Sequence, residues 1–284
     1  MFVKTLTILA LVAAIIGGSA YFINELYYKE QKLDVVEETA PEPEPTPTPE
    51  PTPHPGIAAW DSIKEKVTAP TVESRDMLAV FLSTHPDAPT VPEARQALGR
   101  INLALFRDPA TTPGTSVYTV KKGDSLARIA SQLKSNAELI FWTNELPNIN
   151  LQIGQTLIVP SPETALIINR SKSLVTLMNQ GTFFKDYIPV SMEIPSTISS
   201  GEIEAKVADR LALKDDKRVA FGHRDYAATD RSILINPGNL LIRTPPAPAE
   251  DGTTPPTPIG IVLSPTDFAE LYVLLKTGTT VIIK

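Results

Sequence analysis

Apolar residues fill Thr5 to Ile23 almost without a break, with Gly17, Gly18 and Ser19 as the exceptions. A run of nineteen residues at about 1.5 Å rise reaches roughly 28 Å, enough to cross a bilayer core, so an N-terminal transmembrane helix is predicted. A signal peptide cut after Gly18-Ser19-Ala20 is the competing reading. Tyr21, Phe22 and Ile23 carry the apolar run past that cut, and Tyr27 and Tyr28 suit an interfacial belt, which favours a retained anchor. Either reading exports the remainder. Residues 41–55 then alternate Pro with Glu, Thr or His, a pattern that forms extended polyproline II and no core.

Helical periodicity starts at residue 57. Trp60 and Ile63 mark a first short helix within Ala58 to Val67, and Met77, Leu78, Phe81 and Leu82 mark a second. The third is the clearest. Thr90-Val91-Pro92-Glu93 has the form of a capping box, and Ala94, Leu98, Ile101 and Leu105 recur on one face. From Val117 the pattern reads strand, helix, helix, strand. Tyr118-Thr119-Val120 alternates, and Lys122-Gly123-Asp124 turns, with Asp124 or Ser125 available as a helix cap. Leu126, Ile129, Ala130 and Leu133 fall at i, i+3, i+4 and i+7. Asn136 caps a helix carrying Leu139 and Ile140, and Leu157-Ile158-Val159-Pro160 closes the unit. Beyond residue 164 the signals are mainly β. Strands are predicted over 165–169, 174–178 and 182–188, with Asn179-Gln180-Gly181 as a tight turn, and over 217–222, 231–235 and 239–243. Ser264-Pro265 opens a helix that Gly278 ends, and Thr280 to Ile283 forms a last strand.

The predicted fold class is therefore a multi-domain α+β chain. It comprises an anchor or signal segment at 1–24, an acidic Pro-rich linker at 25–56, a helical segment at 57–108, a βααβ module at 117–160 and a mainly-β domain at 164–284. Charge refines this picture. The formal net charge is -6, and residues 25–55, with eight acids and two Lys, carry all of it. The balanced remainder has no basic excess, so a nucleic-acid partner is not expected. The acidic stretch reads as a solvated tether. There is no Cys, which removes disulfides, thiolate metal sites, lipoprotein anchoring and thiol nucleophiles together. No group of His and carboxylates has metal-ligand spacing, so neither a metal nor a cofactor is expected.

Three resemblances follow from particular residues. Phe81 through Pro89, with Glu93-Ala94-Arg95 and Leu98-Gly99, resembles one helix pair of a tetratricopeptide-like repeat. Such repeats come in threes or more, so one pair implies packing against a neighbour rather than a peptide groove. The pieces Tyr118-x-Val120, Gly123-Asp124-Ser125-Leu126, Ile129-Ala130, Leu139, Asn144, Leu151, Gly154-Gln155 and Leu157-x-Val159-Pro160 resemble the LysM family over its full length. That resemblance implies binding of N-acetylglucosamine-containing glycans such as peptidoglycan. The implied groove lies between Gly123, Asp124, Ser125 and Leu126 on one loop and Pro147, Asn148, Ile149 and Asn150 on another. Most of the same residues also serve turn, cap and core.

The C-terminal region resembles the YkuD-type L,D-transpeptidase domain through Tyr187-x-Pro189-Val190-Ser191, Gly260-Ile261-Val262-Leu263-Ser264 and Gly278-Thr279-x-Val281-Ile282. Active members use a Cys nucleophile, a His base and an Arg. Here Leu241-Ile242-Arg243-Thr244 stands where an Ile-His-Gly-Thr pattern is expected, the Cys position is Gly260, the adjacent His is Pro258 and the Arg is Val262. The resemblance thus implies a degenerate former active site at Arg243, Pro258, Gly260 and Val262 with no catalytic residues, and a Cys placed at 260 is expected near the surface of a remnant cleft. The Pro-rich stretch 245–258 covers or replaces that site. The alternative is a cell-wall enzyme with chemistry relocated to His223, Asp225 or Asp230. The functional expectation is a membrane-anchored, envelope-facing peptidoglycan binder on a single-pass inner-membrane helix. Its C-terminal domain makes a second contact with the wall or a protein partner.

Overall fold

The computed structural model describes residues 54–246, 256 and 259–284. The apolar run 5–23, the linker up to residue 53 and most of the stretch 245–258 lie outside these residues. Among the described residues no helix is long and apolar enough to cross a membrane. The longest, Val91–Leu105, has 15 residues and reaches only about 22 Å. The transmembrane helix expected in the fold class, and the single-pass inner-membrane anchor expected from it, are therefore withdrawn.

Three helices open the described chain: α1 (Pro55–Ile63), α2 (Val72–Thr84) and α3 (Val91–Leu105). Ala94, Leu98, Ile101 and Leu105 are buried on one face of α3, as its periodicity predicts. The capping box does not form. Thr90 makes no side-chain cap: its backbone, at φ -87° and ψ 0°, is helical rather than extended, and the Glu93 carboxylate accepts the Trp60 indole N–H at 3.0 Å. The indole is buried, and leaving its N–H unpaired would carry a desolvation cost that the Glu93 carboxylate removes.

A two-stranded sheet follows, β1 (Thr115–Thr119) against β2 (Thr156–Pro160), antiparallel, enclosing α4 (Leu126–Gln132) and α5 (Ala137–Thr143). The remainder is a ten-stranded sheet. Its strands are β3 (Thr164–Asn169), β4 (Leu174–Asn179), β5 (Thr182–Tyr187), β6 (Ser191–Glu193), β7 (Ile203–Lys214), β8 (Lys217–Arg218), β9 (Asp230–Asn236), β10 (Leu240–Arg243), β11 (Gly260–Val262) and β12 (Thr280–Ile283). The order is β5-β4-β3-β12-β7-β9-β10-β11-β6, with β8 paired to β7. One helix, α6 (Pro265–Leu274), covers its core face. The β4–β5 turn has positive φ at both Gln180 (51°) and Gly181 (73°), the geometry that matches strand twist in a two-residue hairpin. Ser264 caps α6, its hydroxyl accepting the Asp267 N–H at 3.1 Å.

Period-two residues of the sheet face α6. Leu166 and Ile168, Val175 and Leu177, Ile233 and Ile235, and Val281 and Ile283 form one cluster with Phe268, Leu271 and Tyr272. Each such side chain contributes about 1.5–3 kcal/mol by leaving water. Phe106 and Leu139, from the segments before the sheet, belong to the same cluster, and residues from Pro53 to Lys284 make one compact unit. The expected α+β fold class is corrected accordingly: the fold is mainly β, and its smaller parts are packed onto the large sheet. α3 lies on the edge strand β5, where Arg95 donates to both Asp186 oxygens at 2.6 and 2.8 Å and Asn102 Nδ2 donates to the Phe184 carbonyl at 2.8 Å. From the other side Glu270 of α6 accepts from Lys185 Nζ and the Tyr187 hydroxyl, each at 2.8 Å. Both contacts cover an edge that would otherwise expose unpaired backbone.

Candidate functional site

The loop after β1 is built around Asp124. Its Oδ2 accepts the Lys121 N–H at 2.8 Å and the Tyr118 hydroxyl at 2.9 Å. Asp124 therefore fixes the turn, and Ser125 is the cap, accepting the Arg128 N–H at 3.3 Å. Gly123 has a φ of 84°, and its carbonyl accepts from Arg128 Nη1 at 3.0 Å. Gly123 and Ser125 are exposed, whereas Leu126 is buried in the module's core and presents only backbone to a ligand. The second loop, Pro147 to Asn150, is exposed throughout. Asn148 Oδ1 accepts the Asn150 N–H at 2.9 Å, an Asx turn that leaves the Asn148 amide nitrogen and the whole Asn150 amide facing solvent. The loops flank a single core, reaching it through Leu126 and Leu146. Apart from the Asp124 carboxylate, which is engaged within its own loop, they offer neutral hydrogen-bonding groups on an exposed surface, suited to an uncharged sugar.

The Asp124 carboxyl is held below the ordinary carboxylate range, first by the Lys121 N–H it accepts and then by the Tyr118 hydroxyl. A depressed folded pKa contributes stability that is present above the unfolded value, about 3.9, and is lost as pH falls through the folded one. Acidification below about pH 4 should therefore loosen the 121–125 turn. The Tyr118 ring resonances should report that step by NMR, and Asp124→Asn should abolish it. A step that persists in the variant assigns it to another carboxyl.

The module is also bound to the large sheet. Glu138 on α5 is buried and accepts from Arg210 Nη2 on β7 and from the Tyr226 hydroxyl. Asn136 Nδ2 donates to the Val273 carbonyl of α6 at 3.0 Å. Phe221 packs on the module's own core. None of these partners carries a sequence signal, because each bond joins residues far apart in the chain.

The second candidate site lies on β10 and β11, which run parallel with Arg243 paired to Val262. Of the four positions that the sequence resemblance singles out, Arg243, Gly260 and Val262 are thus close together on adjoining strands, and Pro258 lies outside the described residues. Arg243 Nη2 donates to the Ile259 carbonyl at 3.2 Å. A cavity of about 420 Å³ beside it is lined by Asp230, Arg231, Arg243, Thr244, Pro245, Pro246 and Pro256. Gly260 is buried, with φ at 128°, and a Cβ there would lie 2.5 Å from the Leu241 carbonyl oxygen. The expectation that a Cys at 260 stands near a cleft surface is corrected by that overlap: this backbone has no room for a side chain. His223 and Asp225 lie elsewhere, on the loop before β9. Asp225 pairs with Lys214 Nζ at 3.1 Å, and His223 Nδ1 is 3.6 Å from Asp225 Oδ2.

Comparison with known proteins bears on the βααβ module. The LysM domain family model matches residues 118–160. The Cortical fragment-lytic enzyme of Bacillus subtilis (strain 168) is 47% identical over 45 residues, which is 16% of this chain and 10% of that protein, so the chain spans about a tenth of that relative's length. Among solved structures, an L,D-transpeptidase from Mycobacterium smegmatis is similar with 13% identity and a TM-score of 0.29, over 47% of this chain and 64% of that one. An L,D-transpeptidase from Stackebrandtia nassauensis is similar with 12% identity and a TM-score of 0.30, over 68% and 78%. At that level of agreement the reading of the large sheet depends on its own residues. For the βααβ module the matched pattern, its strand pairing and its two loops coincide: residues 118–160 are a LysM domain.

Proposed function

We propose that this protein is a cell-wall-associated peptidoglycan binder. Its LysM domain holds N-acetylglucosamine-containing strands, and its L,D-transpeptidase-like sheet serves as a catalytically silent second contact with the wall or with a protein partner. The observation that carries the first half is the LysM pattern at 118–160, with Gly123, Ser125 and 147–150 exposed. What supports the second half is chemical. Thiol attack needs a Cys, and the chain has none. Ser264 is committed to capping α6. The three His residues, His54, His85 and His223, do not stand on β10 or β11.

The test is sedimentation of the full chain with purified peptidoglycan. The unmodified protein should pellet, and Asn148→Ala with Asn150→Ala should weaken pelleting roughly tenfold, about what one or two neutral hydrogen bonds contribute. Wild-type pelleting by the double variant would move the glycan site elsewhere. A second reading, an enzyme with relocated chemistry, draws support from the cavity that joins Asp230 to Arg231 and Arg243. Incubation with tetrapeptide-bearing muropeptides followed by mass spectrometry separates the two. Unchanged masses are expected, and turnover would replace the silent reading with this one.

A further inference from the structure

By chain order the loop Val219–Tyr226 belongs to the large sheet, running from β8 to β9. Phe221, Gly222 and Tyr226 within it nonetheless meet the LysM domain. The Phe221 ring meets Phe141 edge-on, with centroids 5.5 Å apart at 74°, and Tyr226 at 5.4 Å and 85°. Phe221 thus joins the module's core beside Tyr118, Phe141 and Leu151. The next residue, Gly222, has φ at 90°, and a Cβ there would lie 3.0 Å from Ile149 Cδ1 and 3.6 Å from its Cγ2. Ile149 stands in the middle of the 147–150 loop. The Val219–Tyr226 loop is itself held at both ends. The Val219 N–H donates to the Ala212 carbonyl at 2.9 Å, Asp225 pairs with Lys214 at 3.1 Å, and the Tyr226 hydroxyl donates to Glu138. Inside it, the His223 N–H donates to the Ala220 carbonyl at 3.1 Å and the Asp225 N–H to His223 Nδ1 at 3.2 Å. A loop tied down in this way is a firm support, and one wall of the candidate groove rests on it.

We infer that the glycan site is composite: Phe221 and Gly222 are positioning residues that set the 147–150 loop for a β-1,4-linked N-acetylglucosamine strand. Gly222 does this by leaving just enough room for Ile149, and Phe221 by locking the loop's base to the LysM core. Occupancy of the LysM groove is thereby linked to the large sheet, although the sheet itself need not touch sugar. This inference rests on the peptidoglycan-binding reading above.

A double-mutant cycle on the full chain tests it, with titration calorimetry against an N-acetylglucosamine oligomer as the readout. Gly222→Ala should push Ile149 and weaken binding about fivefold, within the usual range for groups in contact. In an Ile149→Ala background the added Cβ meets no side chain, so the affinity loss transmitted through Ile149 should vanish, while the backbone strain of an L residue at φ 90° stays as an equal stability loss in both backgrounds. A role confined to the stability of the Val219–Tyr226 loop would produce equal affinity losses in both backgrounds and would overturn the inference, as would unchanged affinity in Gly222→Ala. Should Gly222→Ala fail to fold, Phe221→Leu carries the test. It keeps an apolar but smaller side chain without the edge-on ring contacts, so it should weaken binding while Phe221→Tyr retains it, and equal affinities for the two would be contradictory. If the unmodified chain does not bind the oligomer, the underlying reading falls and this inference falls with it. Binding by the wild type with no coupling overturns this inference alone.

Discussion

Glu138→Ala should lower the unfolding free energy by about 3–5 kcal/mol in a urea titration, among the largest losses available to a single substitution here. The Glu138 side chain is 9% exposed and that of Arg210 is 14% exposed. Arg210 also lies 4.2 Å over the Tyr272 ring, so it is fixed between an aromatic face and a carboxylate. Removing the carboxylate leaves a guanidinium in a place that water reaches poorly, and that uncompensated charge costs more than the pair itself contributes. The Tyr226 hydroxyl loses its acceptor in the same step. Burial first, and then the bond to Glu138, push that hydroxyl above its ordinary range. A raised folded pKa gives stability that is complete below the unfolded value, about 10, and is lost as pH rises through the folded one. Glu138→Ala should therefore also bring Tyr226 ionisation closer to the ordinary tyrosine range in an ultraviolet pH titration. A loss below about 1 kcal/mol would mean that the pair is hydrated and behaves as a surface bridge.

Gly260→Cys should destabilise the protein by about 2–5 kcal/mol and yield no covalent adduct with a carbapenem. Two costs combine. The backbone there, with φ at 128°, disfavours any L side chain, and the new Cβ would stand 2.5 Å from the Leu241 carbonyl oxygen. That oxygen belongs to a strand held in register, Ile242 against Ile261, so relief requires the sheet to move. Even a tolerated thiol lacks a base and oxyanion donors, since Val262 is apolar and 1% exposed and Arg243 is turned to the Ile259 carbonyl. Urea unfolding and intact-mass measurement after carbapenem treatment check both parts. A variant as stable as the wild type that acylates would refute the account of this site.

The elements that could be read from the sequence are those whose determinants are contiguous. The LysM domain places its turn, cap and core residues within 43 positions, and the Ser264 cap, the Gln180-Gly181 turn and the α3 face are each set by a few neighbouring residues. The central strand β7 was not predicted, although it is the longest. Its inward residues Ile203, Ala205 and Val207 alternate correctly, but a bulge between Val207 and Asp209 shifts the period, and Glu204, Lys206 and Arg210 disguise the run. Conversely, 217–222 reads as a strand from its apolar residues, yet only Lys217–Arg218 pairs, because Phe221 is taken up by the LysM core. The candidate site divides in the same way. The loops 123–126 and 147–150 follow from motif, while their support by Gly222 depends on a contact between residues more than seventy positions apart. Nothing local to Gly260 signals the nearness of Leu241; that overlap comes from pairing two strands separated by a Pro-rich insertion.

On the function proposed above, residues 118–160 hold N-acetylglucosamine-containing glycan. Titration of the full chain with a β-1,4-linked N-acetylglucosamine oligomer, beside a glucose oligomer of equal length, measures that directly. Saturable heat with the first and none with the second is the predicted result. No response to either, or the same response to both, would contradict it.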